Sequence, residues 1–162
     1  MKLSYKRSDI LKAILVYGIG DSIASLLLNQ FSWTRVLGIM LIGATFYAFE
    51  IPNFFNWIEQ QTKNKTGLKR SLYKTLLAIL YFNPLWIFRH LFFIKIFSNQ
   101  LDFSFKNLFL IAFYSFLVNI PISFIGNFII QNKITLKHRF LASAIFSALM
   151  AIYYAFSETL FS

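Results

Sequence analysis

The sequence predicts an all-α fold: a polytopic membrane protein made of a single bundle of about five transmembrane helices. Three observations predict it. Hydrophobic residues make up 57% of the 162-residue chain and charged residues only 14%, against about 25% charged in a soluble domain; the mean hydropathy is +0.60. Five apolar runs reach the roughly 20 residues that one helical crossing requires. The basic residues gather in alternate connections between those runs, as the positive-inside rule demands of a multi-spanning chain.

The five runs cover residues 10–28, 36–58, 72–96, 108–130 and 140–161. The first follows Lys2, Lys6 and Arg7, as the apolar stretch of a signal peptide would. It is longer than such a stretch and no small-residue cleavage motif follows, so it is read as a retained helix. The second is the weakest, because Glu50, Asn53 and Asn56 interrupt its later half; Trp33 and Trp57 near its ends fit an aromatic belt. Pro52, Pro84 and Pro121 lie inside the second, third and fourth runs. Each removes a backbone hydrogen bond, so these three helices are expected to be bent or broken. The fifth run carries Ala144, Ser147, Ala148, Ala151 and Ala155 at helical spacing, a stripe small enough for close helix packing.

Lys and Arg positions assign the sides. Lys2, Lys6, Arg7, Lys12, Lys63, Lys65, Lys69, Arg70, Lys74, Lys133, Lys137 and Arg139 fall on one side of a five-span chain; only Arg35, Lys95 and Lys106 fall on the other. The heavily basic side is the cytoplasmic or matrix side, and it holds the N-terminus. The expected location is a bacterial inner membrane or an organellar membrane. The net charge of +10 is then read as contact with anionic lipid headgroups at the basic loops, not as nucleic-acid binding. A homo-oligomer is compatible with the chain.

Catalytic chemistry finds no footing. There is no cysteine, and His90 and His138 alone make no closed zinc site. No Gly-x-Ser-x-Gly elbow, P-loop or His-Glu-x-x-His motif occurs. No enzyme activity, catalytic residue, metal or cofactor is expected.

The residues that stand out are polar groups inside apolar runs, which are costly in a bilayer and mark functional sites by default. Asp21 lies about 16 Å along its helix from Ile10, near mid-membrane at 1.5 Å per residue. Gly18, Asp21, Ser22, Ser25 and Asn29 share one face of that helix. The face reads either as a packing seam or as a solute-facing stripe. On the fourth run, Ser115, Asn119, Ser123, Gly126 and Asn127 form a second stripe around Pro121. Asn83 precedes Pro84 in the third run; Arg89 and His90 follow within two turns. Arg89 reads as a snorkelling cation, Glu50 as a candidate partner of Arg89 or Lys12, and His90 as a hydrogen-bonded packing histidine or a titrating group. Because Asn119 lies at the depth of Asp21, the first and fourth spans are expected to be neighbours, with Asp21 facing Asn119 or a polar cavity between them. The expected function is a channel or exporter for small polar solutes, amino acids or metabolites among them, with these two stripes lining the path. The alternative is a non-transporting scaffold or assembly subunit whose stripes are buried seams.

The placed residues resemble the family of the twenty-two-kilodalton peroxisomal membrane protein and its mitochondrial inner-membrane channel relative. Gly20-Asp21 in the first span, Pro52 and Trp57 in the second, Lys74 and Pro84 in the third, Pro121 and Asn127-Phe128 in the fourth, and Arg139 and Tyr153 in the fifth carry the resemblance. Ile51, Phe55 and Ile58 stand where that family has Gly, His and Tyr. Ala78-Ile79, Phe124 and Met150-Ala151 replace further polar or aromatic positions of the family. A second resemblance is to the bacterial L-alanine exporter family, on Pro52, Leu77-Ala78 and Phe82-Asn83-Pro84; that family has four spans, so the fifth would be extra. Both resemblances imply passage of small solutes.

Overall fold

A computed structural model of the protein describes residues 3–161, with the side chains of the last helix described through Tyr153. Every regular element is helical: α1 (Arg7–Leu27), α2 (Trp33–Ile42), a π-helical turn (Gly43–Tyr47), α3 (Ala48–Gln61), α4 (Gly67–Tyr81), α5 (Pro84–Phe97), α6 (Phe105–Lys133) and α7 (Leu136–Phe161). They line up as five rods, because α2, the π turn and α3 are continuous and α4 and α5 are parted only at Phe82 and Asn83. Four rods among the described residues, Arg7–Leu27, Trp33–Gln61, Gly67–Phe97 and Phe105–Lys133, are long and apolar enough to cross a membrane. Ala155, in the expected small stripe, lies outside the described side chains.

The rods overrun the apolar runs at most ends, so the connections are shorter than expected. Trp33 already belongs to α2, because the Ser32 hydroxyl caps it by accepting from the Arg35 N–H at 3.3 Å. Arg35 therefore sits in a helix, not in a loop. The stretch expected to link the second and third spans, residues 59–71, reduces to Thr62–Thr66. α6 and α7 are joined by Ile134 and Thr135 alone. Hydropathy finds the apolar part of a helix; amphipathic ends continue into the interface.

The prolines act differently from one another. Pro84 breaks its rod. The residue before a proline is driven out of the α region; Asn83 is extended (φ −80°, ψ 178°) and ends α4. Its side chain then starts α5, its Oδ1 accepting from the Leu85 N–H at 2.9 Å and the Trp86 N–H at 3.2 Å, with Pro84 at the first helical position where no N–H is needed. Pro52 is tolerated inside α3, and the π turn one turn earlier absorbs the irregularity, the Ala48 N–H reaching back to the Gly43 carbonyl. Pro121 does not interrupt α6, which runs 29 residues without a break. It lies on the exposed side of that helix, away from buried Asn119 and Ser123. The expectation of a bent or broken fourth helix is corrected to this extent: no break occurs there.

Large apolar side chains cover much of the outside, and polar side chains are buried among an apolar core. On α1, Leu11, Leu15, Ile19, Ile23 and Leu26 are all exposed, while Asp21 and Ser25 are buried. That inverts the pattern of a helix in water and fits a hydrocarbon surround. An aromatic and branched core of Tyr47, Ile51, Phe55, Ile58 and Ile87 holds the middle.

α7 packs between α1 and α6, lying against both; α6 also packs on α4 and α5, and α1 on α2, the π turn and α3. The first and fourth spans are not adjacent, which corrects the expected α1–α6 pairing. The physical reason is side-chain size. Gly20 lets α1 approach α7 so closely that a Cβ there would overlap Ala148, and a Cβ on Gly126 of α6 would overlap the Phe146 ring of α7. The small stripe of α7 thus receives α1 and claims the position beside it. Gly20→Val is expected to lower stability by about 1–3 kcal/mol, as overpacking does, seen as a reduced unfolding midpoint of detergent-solubilised protein, whereas Ile19→Val on the exposed side leaves the midpoint unchanged.

Candidate functional site

Asp21 is 2% exposed and Arg35 1%. The guanidinium holds the carboxylate in a fork: Nε donates to Oδ2 at 2.9 Å and to Oδ1 at 3.1 Å, and a terminal nitrogen donates to Oδ1 at 2.7 Å. Bidentate charge-assisted pairing of this kind is the strong form of the interaction. It replaces the expected arrangement in which Asp21 faces Asn119. Asp21 stands six residues before the end of α1, about 9 Å from that end, within reach of a long side chain from the start of α2. From the first turn of α2 Arg35 reaches back to it, and an arginine satisfies a buried carboxylate better than an amide can.

Glu50 of α3 takes Arg89 of α5. Two guanidinium nitrogens donate to its two oxygens at 2.9 and 2.7 Å, and the Tyr81 hydroxyl adds a bond of 2.7 Å. Arg89 also lies over the rings of Tyr47 and Phe46, 5.7 and 6.0 Å from their centroids. The pair is half-buried on the flank of the bundle.

The third carboxylate, Glu59 of α3, was not singled out in the sequence. It accepts from Arg70 at 3.1 Å and from Lys74 and Arg139. Lys74 and Arg139 are buried, although both count as ordinary basic-side charges by position. The available signal was scarcity: with six acidic residues in the chain, each one beside an apolar run must serve some cation. Among the described residues no ion pair reaches α6, whose only charges are Lys106 and Lys133.

His90 is buried at the centre. Its Nδ1 is 3.0 Å from the Tyr47 hydroxyl, and the Trp86 ring stacks on it at 5.5 Å and 12°. Its Nε2 has no hydrogen-bond partner. Ser22 and Ser25 bond backward to the carbonyls of Gly18 and Ser22 at 2.7 and 3.0 Å, the usual way a helix interior absorbs a hydroxyl. Asn83 is spent as the α5 cap.

The stripe on α6 is buried as a unit: Ser115, Asn119, Ser123 and Asn127. Asn119 donates to the Ser123 hydroxyl at 2.9 Å, and Asn127 to the Ser123 carbonyl at 2.9 Å. A void of about 10 Å³ opens beside it, lined by Phe82, Trp86, Ser123, Asn127, Phe146, Ser147 and Met150. That volume is one water molecule's worth. Two of its lining residues carry unpaired buried atoms of opposite character, the Trp86 Nε1 donor and the Asn127 Oδ1 acceptor. The void lies where α4 stops and α5 begins, so a helix break and polar groups of α6 and α7 converge there. The sequence-predicted stripe on α6 is thus brought together with the third and fifth spans and kept apart from the stripe on α1. No group of three His, Cys, Asp or Glu side chains among the described residues could hold a metal ion.

No protein-family model, curated protein or solved structure matches the chain.

Removing one member of the Asp21–Arg35 pair leaves a buried uncompensated charge, which costs about 3–5 kcal/mol. Arg35→Met is therefore expected to abolish or sharply lower the cooperative unfolding transition in detergent, and Asp21→Leu with Arg35→Met together to recover most of it. A double variant no more stable than Arg35→Met would show that the pair does not set this cost.

Proposed function

We propose that the chain is a multi-pass membrane protein of five crossings that passes small polar solutes, as a channel or exporter, along the seam between α4/α5, α6 and α7. The observation that carries this reading is the polar void at the broken third rod. A discontinuous helix at membrane depth is a device of solute-binding transporters, because irregular backbone is tolerated there only beside protein or a polar cavity. Unpaired buried polar atoms each cost about 1–3 kcal/mol, so a seam that keeps Trp86 Nε1 and Asn127 Oδ1 open is better suited to receive a polar guest than to pack. The path differs from the expected one: α6 keeps its stripe, while α5 and α7 take the place of α1. Asp21 acts as a structural anchor and not as a solute site. The family resemblances quoted above point to the same class of activity, without chemistry on a substrate.

One observation favours a second reading, a non-transporting scaffold. Asp21, Glu50 and Glu59 are all engaged in holding rods together, which a purely structural subunit would also require.

The two readings separate in proteoliposomes. Wild type is expected to release small polar solutes, and Asn127→Leu, which fills the void and removes its acceptor, to cut that flux at least tenfold with the fold intact by circular dichroism. Absence of flux in wild type supports the scaffold. Orientation is checked separately, and the lack of native cysteine makes single-cysteine labelling clean. Lys65→Cys is expected to label from the side of the N-terminus and Asn99→Cys from the opposite side; labelling of both from one side would rule out the five-span topology.

A further inference from the structure

At the heavily basic end of the bundle a pocket of about 350 Å³ is walled by three separate parts of the chain. Pocket volumes of this order accommodate small organic ligands. Its floor is apolar: Phe55 and Phe140 are buried, with Pro52 and Leu136 beside them. Its rim is cationic and hydroxylic: Lys6, Lys12 and Lys137, with Ser4, Ser8 and Asn56. Asp9 is the one carboxylate present, and it engages Lys12 at 3.3 Å, which leaves Lys6 and Lys137 uncompensated.

The wall formed by the N-terminal segment is built and not draped. The Ser4 N–H donates to Asn53 Oδ1 at 2.9 Å, and Asn53 Nδ2 donates back to the Ser4 carbonyl at 2.8 Å. The Tyr5 hydroxyl donates to the Ala44 carbonyl at 2.6 Å, and its ring meets Phe49 edge-on. Asn53, which interrupts the apolar run of the second span in the sequence, is the side chain that pins this segment across α3. Lysines from the segment before α1 and from the first turn of α7 are thereby held over one apolar floor.

We propose that this pocket binds an organic phosphate: the ammonium groups of Lys6 and Lys137 take the phosphate oxygens, the hydroxyls add donors, and the phenylalanine floor takes the carbon body. Lysine binds phosphate as a point charge, and the apolar floor favours an ester over the inorganic ion. Two sources share this chemistry, the headgroup of an anionic phospholipid and a soluble phosphate ester. The proposal does not depend on the transport reading.

The test uses the full chain in phosphatidylcholine nanodiscs, titrated with glycerol 3-phosphate, and in a second arm nanodiscs doped with phosphatidylglycerol, read by retained lipid in native mass spectrometry. Saturable binding of glycerol 3-phosphate identifies a soluble ester, selective retention of phosphatidylglycerol identifies the headgroup, and either supports the site. Lys6→Gln with Lys137→Gln is expected to weaken binding at least tenfold, Lys6→Arg with Lys137→Arg to preserve it, and Lys69→Gln, a basic-side lysine outside the pocket, to leave it unchanged. The exposed lysines are expected to leave the unfolding midpoint unaltered. The proposal is overturned if neither probe binds, if glycerol binds as well as its phosphate, if the glutamine pair has no effect, or if Lys69→Gln weakens binding equally.

Discussion

A carboxylate closed into apolar surroundings must find a cation on another part of the chain, and in this protein that requirement joins the rods. Asp21 ties α1 to α2, Glu50 ties α3 to α5, and Glu59 ties α3 to both α4 and α7. Between hydrocarbon-exposed helices the hydrophobic effect supplies little attraction, so packing of small residues and polar links must do the assembling. The glycine and alanine contacts between α1 and α7 set distance; the ion pairs set register. Neither is sufficient alone, since close packing tolerates sliding and a long side chain tolerates separation.

The two ends of the bundle carry this load differently. Near the α1–α2 turn a single carboxylate meets a single guanidinium, and the charges cancel inside the fold. At the basic end one carboxylate meets three cations, Arg70, Lys74 and Arg139. That cluster retains positive charge, which is tolerable only beside water or anionic headgroups. The same asymmetry that reads as orientation in the loop composition therefore continues into the folded interior.

Much of the architecture was legible because it is local. Apolar length marks the rods, Asn83-Pro84 marks a stop and a restart, and of the two cations offered to Glu50, Arg89 and Lys12, the first is the one it takes. The stripe on α6 was recognisable from spacing alone. What escaped is what depends on which rods touch. Arg35 reads as a loop cation until Ser32 is seen to cap a helix around it. Lys74 and Arg139 count as surface charges until Glu59 draws them inward. The neighbour of α1 is decided by the fit of Gly20 to Ala148, and periodicity on either helix separately says nothing of that fit. Depth along a helix, the criterion that matched Asp21 with Asn119, fixes one coordinate and leaves the position around the bundle open.

α6 stands apart in this scheme. It is held by packing and by neutral hydrogen bonds, such as those from Asn132 to the Ser71 carbonyl and the Thr75 hydroxyl of α4 at 3.3 and 3.4 Å, and no charged residue occurs between Lys106 and Lys133. In a bilayer, a charge carried across the potential exchanges about 2.3 kcal/mol per 100 mV; a rod with an uncharged interior carries none. The side chains of α6 between Lys106 and Lys133 therefore offer the membrane potential no formal charge within the apolar stretch.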